Sequence, residues 1–205
     1  VGADGGSHQQ IEDIAIMRVI PNMRVLVPAD STTVSKLTWI ISQQYGPFYM
    51  RMARSKTPII HNDSQEFQIG KGIVLRDGSD CTIAACGITV KMALDAANML
   101  QQDGISCRVI DCFSIKPIDK DLLEKSARET GSIVTCEEHN IIGGFGSAVS
   151  EVVSESYPVP IRRIGAQDKF GESARDNEIP QLLEKHGLTS INIAKAVKEV
   201  RSKKT

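Results

Sequence analysis

From residue 81 to residue 165 the chain repeats one pattern: a short apolar run, then a longer amphipathic stretch closed by a turn signal. The apolar runs are CTIAAC (81–86), CRVIDC (107–112), SIVTCEE (132–138) and PIRRIG (160–165). Each is strand-length, and apolar runs of that kind describe strands buried on both faces. Helical spacing is predicted over 90–102, 119–129 and 147–155, with Asp103-Gly104 and Gly131 as stops, and again over 179–186 and 191–200. Parallel strands need crossovers of about this length, so the alternation predicts an α/β fold: three layers around a mostly parallel sheet. GKGIVLRDG (70–78) reads as an edge strand closed by a turn at Asp77-Gly78.

A smaller unit precedes this one. Ser7 and Gln10 form the capping-box pattern S-x-x-Q, which predicts a helix from near His8 with Ile11, Ile14, Ala15 and Val19 on its apolar face. Pro21-Asn22 stops it. RVLVP (24–28) is a predicted strand, Asp30 or Ser31 caps a helix to about Gln44, and FYMRMA (48–53) is a second strand. This is one β–α–β unit with a crossover suited to parallel pairing. Residues 54–66 carry a proline, an Asn-Asp pair and no periodicity, and read as a linker. The expected division is 1–66 and 67–205. A chemically specific segment at residue 1, with no starting Met, leads to the expectation that the chain is the later part of a longer protein and holds part of an active site.

Composition narrows the function. With 205 residues, 41% of them hydrophobic, and a net charge of −1, the chain has no basic excess for nucleic acid. It has no apolar run of membrane-spanning length and no signal-peptide pattern, so no membrane partner is expected. Five cysteines without a CxxC motif read as reduced core thiols of a cytoplasmic protein. The four histidines show no zinc-ligand spacing, and no metal ligand is assigned.

Four places could carry chemistry. In the opening loop, Gly5 and Gly6 allow close approach to a helix start, His8 can donate, and Asp4 can accept from hydroxyl groups. Arg54 directly follows a strand, where parallel sheets gather ligands, and its guanidinium matches phosphate. Arg51 is expected to point the other way and to be structural, and Lys56 is a weaker neighbour. HNIIGGFGSAV (139–149) sits where phosphate loops sit, but it matches no phosphate motif, and its glycines suit a tight turn and close helix–sheet packing. Glu137, Glu138 and His139 could line a site or an interface. The polar loop 165–178 specifies no reaction, and Phe170-Gly171 suggests a turn packed on something. Composition alone favours a capped, solvated helix start over a site at Asp4 and His8, and a surface ion pair at Arg54.

The motifs change that balance. GADGGSHQQIEDIAIMRVIPNMRVLVPADS resembles the transketolase segment GEDGPTHQPIE…LRxIPNxxVxxPADxxE. Further on, CFSIKPID (112–119) and EEHNIIGGFG (137–146) are similar to the C-terminal domain of that family, and are shared more widely among thiamine diphosphate enzymes. The resemblance spans essentially the whole chain. It implies the second half of a pyrimidine-binding domain over 1–66 and a Rossmann-like transketolase C-terminal domain over 67–205. It also implies ketol transfer between sugar phosphates, with Asp4 and His8 contacting the sugar, His8 catalytic, and Arg54 binding its phosphate. Thiamine diphosphate and Mg2+ would serve the complete enzyme. Most of their ligands lie upstream in the family, so this chain alone is expected to be inactive. The implied partners are that upstream half or N-terminal subunit and a second copy in a homodimer. Gly6 stands where the family usually has Pro, and Ala3 where it has Glu; GADG also occurs in deoxyxylulose phosphate synthases. That enzyme, a 2-oxo acid dehydrogenase beta-type subunit and a non-catalytic assembly module are the alternatives.

Overall fold

The computed structural model describes residues 10–54 and 56–203. The first part contains α1 (Asp13–Val19), β1 (Arg24–Leu26), α2 (Ser31–Ser42) and β2 (Phe48–Met50). After the linker come β3 (Ile73–Arg76), β4 (Cys81–Ala85), α3 (Thr89–Gln102), β5 (Cys107–Asp111), β6 (Ser114–Lys116) and α4 (Lys120–Thr130). The chain then forms β7 (Ile133–Asn140), α5 (Phe145–Ser156), β8 (Ile161–Ala166), α6 (Ile179–Lys185) and α7 (Ser190–Arg201).

Five strands build the larger sheet in the order β3-β5-β4-β7-β8. All neighbours run parallel except β3, the edge strand, which is antiparallel to β5. Every residue of β4 and β5 is buried, as continuous apolar runs require. Alternate side chains serve opposite faces: Cys81, Ile83 and Ala85 pack toward Ala93, Ala97 and Leu100 of α3 and Val197 of α7. Ala84 and Cys86 pack toward Leu123 of α4 and Val149 and Val153 of α5. The result is the three-layer, mostly parallel α/β arrangement that the sequence pattern predicts.

The smaller sheet has the order β2-β1-β6. β1 and β2 are parallel, joined through α2. The third strand, β6, comes from the other unit and runs antiparallel to β1, and the spacing of apolar residues gives no sign of it. It is three residues long and immediately follows β5, so only the edge offered by β1 makes it a strand. The linker is likewise docked. Oδ1 of Asp30 caps α2 by accepting from Thr33 N and Oγ1 at 2.8 and 2.7 Å, while Oδ2 accepts from Ile60 N and His61 N at 2.7 and 2.8 Å. Burial raises the pKa of Asp30, but the hydrogen bonds from His61, Thr33 and Ile60 outweigh it and hold the carboxyl below its ordinary value. His61 Nε2 then meets Asp111 Oδ2 of β5 at 2.8 Å, both side chains buried.

Three local expectations are corrected. α1 starts at Asp13 rather than near His8, because Gln10 and Ile11 spend their carbonyls on tertiary contacts: Gln10 O accepts from Arg51 Nη2 at 3.2 Å and Ile11 O from Asn140 N at 2.7 Å. β2 ends at Met50, three residues short of the apolar run. Phe170 is 88% exposed, so its ring is not buried as a packed turn would make it.

Candidate functional site

A cavity of roughly 590 Å³ opens at the carboxyl end of β2. Gln10 and Asp13 from the start of α1, Tyr49 and the segment 51–54, Lys56 to Pro58 of the linker, and Glu138 of β7 line one part of it. Ile88, Lys91 and Met92 at the start of α3, with Ile179 and Leu183 of α6, line the rest. Its size and its mix of apolar walls with a few polar groups suit a small ligand.

Arg51 organises the polar wall. Its Nε donates to Asp13 Oδ2 at 3.0 Å, Nη1 to Glu138 Oε2 at 3.2 Å and Nη2 to Gln10 O at 3.2 Å. Burial opposes its charge, yet Glu138 and Asp13 more than offset that and raise its pKa. Tyr49 Oη donates to the same Asp13 oxygen at 2.7 Å. Burial first, and then this bond to a carboxylate, push the Tyr49 phenol up to about 12, so it remains a neutral donor. The other oxygen of Asp13, Oδ1, is buried without a hydrogen-bond partner among the described residues.

Below this wall the chain satisfies its own helix terminus. Glu137 accepts from Phe145 N at 2.6 Å and Gly146 N at 2.8 Å, filling the N-terminus of α5 with an internal carboxylate. A Cβ on Gly144 would lie 2.1 Å from Glu137 Oε2, so glycine is required there. Burial pushes the Glu137 carboxyl up to about 7, against the pull of those two N–H groups. His139 Nε2 accepts from Ala15 N at 3.3 Å and Nδ1 lies 2.6 Å from Asn140 O, a pattern that only the neutral ring with a protonated Nδ1 can make. Burial lowers its pKa accordingly. The Gly-rich loop therefore serves packing, as the plainer reading of its sequence holds.

Arg54 and Lys56 both line the cavity. Asp4 and His8 lie outside the described residues. Arg51, expected to point away from Arg54, shares the cavity with it, because strand alternation stops at Met50 and does not extend to residue 54. Sequence reasoning also missed Asp13, Tyr49 and Lys91. Nothing local marks them; Glu138 alone had a signal, its place at a strand end. Among the described residues no three His, Cys, Asp or Glu side chains converge as metal ligands.

Two family models match the chain: the transketolase pyrimidine binding domain over residues 1–59 and the transketolase C-terminal domain over residues 70–193. A protein of Methanocaldococcus jannaschii assigned as a transketolase C-terminal section is 44% identical over 99% of this chain and 63% of that protein. A 1-deoxy-D-xylulose-5-phosphate synthase of Heliobacterium modesticaldum is 37% identical over 98% of this chain, which spans 31% of that protein. A solved structure of a split-gene transketolase, in an inactive beta4 tetramer, superposes with a TM-score of 0.91 at 47% identity, covering 98% of this chain and 64% of that one. The chain thus spans less than two thirds of the length of each.

Proposed function

This chain belongs to the transketolase family, and from that premise we propose that it forms the C-terminal part of an enzyme transferring a two-carbon ketol unit between sugar phosphates. Residues 1–66 are its share of the pyrimidine-binding domain and 67–205 its C-terminal domain, a division that agrees with family matches over 1–59 and 70–193. The observation that carries the reading is the cavity at the end of β2. There Arg54 and Lys56 share one space with Tyr49 and Glu138, groups able to bond a sugar's hydroxyls. Arg54 holds the substrate phosphate through its bidentate fork. Asp4 accepts from sugar hydroxyls, and His8 donates to the reacting sugar as the catalytic residue of this chain.

Thiamine diphosphate and Mg2+ belong to the complete enzyme in this reading. Among the described residues no group of metal-ligating side chains converges to hold the Mg2+, and Glu138 and Glu137 are already bonded, to Arg51 and to the start of α5. No step is therefore routed through the cofactor. An N-terminal partner supplies the remaining site, a second copy completes a homodimer, and the isolated chain is inactive. Five free, buried thiols support a cytoplasmic setting. Among the described residues no helix is long and apolar enough to cross a membrane.

The test is a coupled assay of this chain joined or mixed with its N-terminal partner, with thiamine diphosphate and Mg2+. Xylulose 5-phosphate plus ribose 5-phosphate is expected to turn over, and Arg54→Ala is expected to raise KM for phosphorylated acceptors far more than for unphosphorylated ones. Equal effects on both would remove the phosphate role. The relatives that are deoxyxylulose phosphate synthases support a second reading; turnover of pyruvate plus glyceraldehyde 3-phosphate would establish it. Silence in both assays from a folded complex would favour an assembly module.

A further inference from the structure

The far wall of the cavity belongs to the C-terminal unit, and it carries a charge that the sequence motifs do not mark. Lys91, in the first turn of α3, lines the same space as Arg54 and Lys56. Among the described residues six charged side chains line this cavity: Arg51, Arg54, Lys56, Lys91, Asp13 and Glu138. Both carboxylates are bonded to Arg51, whose single charge offsets one of the two. Arg54, Lys56 and Lys91 add three further cations, so the described lining holds four cations against two carboxylates. The flexible four-carbon stem of a lysine lets an ammonium on this wall extend toward a ligand in the cavity.

Lys91 is held ready rather than locked. Its ammonium donates to Asp95, one turn further along α3, and both side chains are 43% exposed. An exposed i,i+4 pair is weak, and the order cation-then-anion is the less favourable one on a helix. A bound dianion with Arg54 beside it competes readily with that single carboxylate.

We propose that Lys91 is a second anion-recognising residue of this cavity, supplied by the C-terminal unit, and that with Arg54 it selects substrates carrying a terminal phosphate. The proposal rests on the phosphate role of Arg54, and it gives the C-terminal unit a part in specificity beyond assembly. The experiment uses the complete enzyme, this chain with its N-terminal partner, and measures KM and kcat for ribose 5-phosphate and for ribose. Lys91→Met keeps the apolar stem and removes the charge. It is expected to raise KM for ribose 5-phosphate about tenfold, the size of one charge-assisted hydrogen bond, and to change KM for ribose less than about twofold. Lys91→Arg is expected to restore most of the loss. Equal changes for both sugars, or none, would overturn the proposal. Arg54→Ala run in parallel separates the two readings. If Arg54→Ala loses the phosphate preference and Lys91→Met keeps it, Lys91 has no such role and the Arg54 reading stands. If Lys91→Met loses it and Arg54→Ala keeps it, the Arg54 assignment falls and the shared recognition proposed here falls with it. If both variants keep the preference, both readings fall.

Discussion

The two units of this chain use the same α/β grammar and finish it differently. In the larger unit α3 buries six of its residues, and α7 covers the same sheet face beside it. In the smaller unit α2 buries only Thr33 and Leu37, while Trp39 is 70% exposed and Tyr45 fully so. The larger sheet has three fully sandwiched central strands. Among the described residues the smaller one reaches three strands only with β6 from its neighbour. A two-stranded unit buries too little apolar surface to offset the entropy of ordering it. The lesson is that the smaller unit draws its order from a seam: β6, the docked linker and the His61–Asp111 pair.

The largest expected effect breaks that seam. His61→Ala leaves Asp111 buried without its partner, and the other oxygen of Asp111 already has none among the described residues. The cost should be about 4 kcal/mol, readable as a shift in the denaturation midpoint, with exchange of the β1 amides rising first. A double replacement by leucines that recovers most of the loss would confirm that the buried carboxylate, not the linker path, is responsible.

Leu37→Ala comes next, at about 3 kcal/mol, since Leu37 is fully buried against Leu26 and Phe113. Its protection loss should stay within the smaller unit, whereas Leu100→Ala should loosen the larger sheet. Equal, global loss from both would show one cooperative unit and end the comparison.

The pH dependence of the larger unit is comparable in size. Glu137 has a folded pKa raised from 4.5 to about 7, so the folded state holds its proton over a range where the unfolded state has released it. Stability from this group is full below pH 4.5 and falls as pH rises through about 7, a swing of up to about 3 kcal/mol. His139, with its lowered pKa, works in the opposite direction, losing stability as pH falls. The Glu137 contribution is therefore the difference between the wild type and Glu137→Gln, whose midpoint should be flatter between pH 5 and pH 8. Parallel profiles would place the titration elsewhere.

The smallest effect is expected at Trp39→Ser. In the isolated chain the exposed ring should contribute less than about 0.5 kcal/mol. A markedly larger cost in the assembled enzyme would identify the outer face of α2 as covered by another chain and sharpen the contrast between the units.

Much of the larger unit was legible because its signals are local. Asp119 before α4, Gly131 in the left-handed conformation after it, and the apolar runs of β4, β5 and β7 each announce themselves within a few residues. The smaller unit was legible as β–α–β but not in its start or its third strand. The carbonyls of Gln10 and Ile11 and the edge of β1 are claimed by residues distant in the chain. The site divides in the same way. The place of Arg54 at the cavity follows from its position after a strand, whereas Asp13, Tyr49 and Lys91 come to line it only where β2, α1 and α3 meet.

The sequence by itself determined the α/β class, the order of its elements apart from β6, the caps at Asp30, Asp119 and Gly131, and the family, because these depend on periodicity and on contacts a few residues apart. Tertiary structure alone decided which charges share a cavity, which carboxylates Arg51 neutralises, and that Glu137 rather than a ligand fills the start of α5. Coulomb and hydrogen-bond energies fall with distance in space and take no account of distance along the chain, so only the folded geometry sets them.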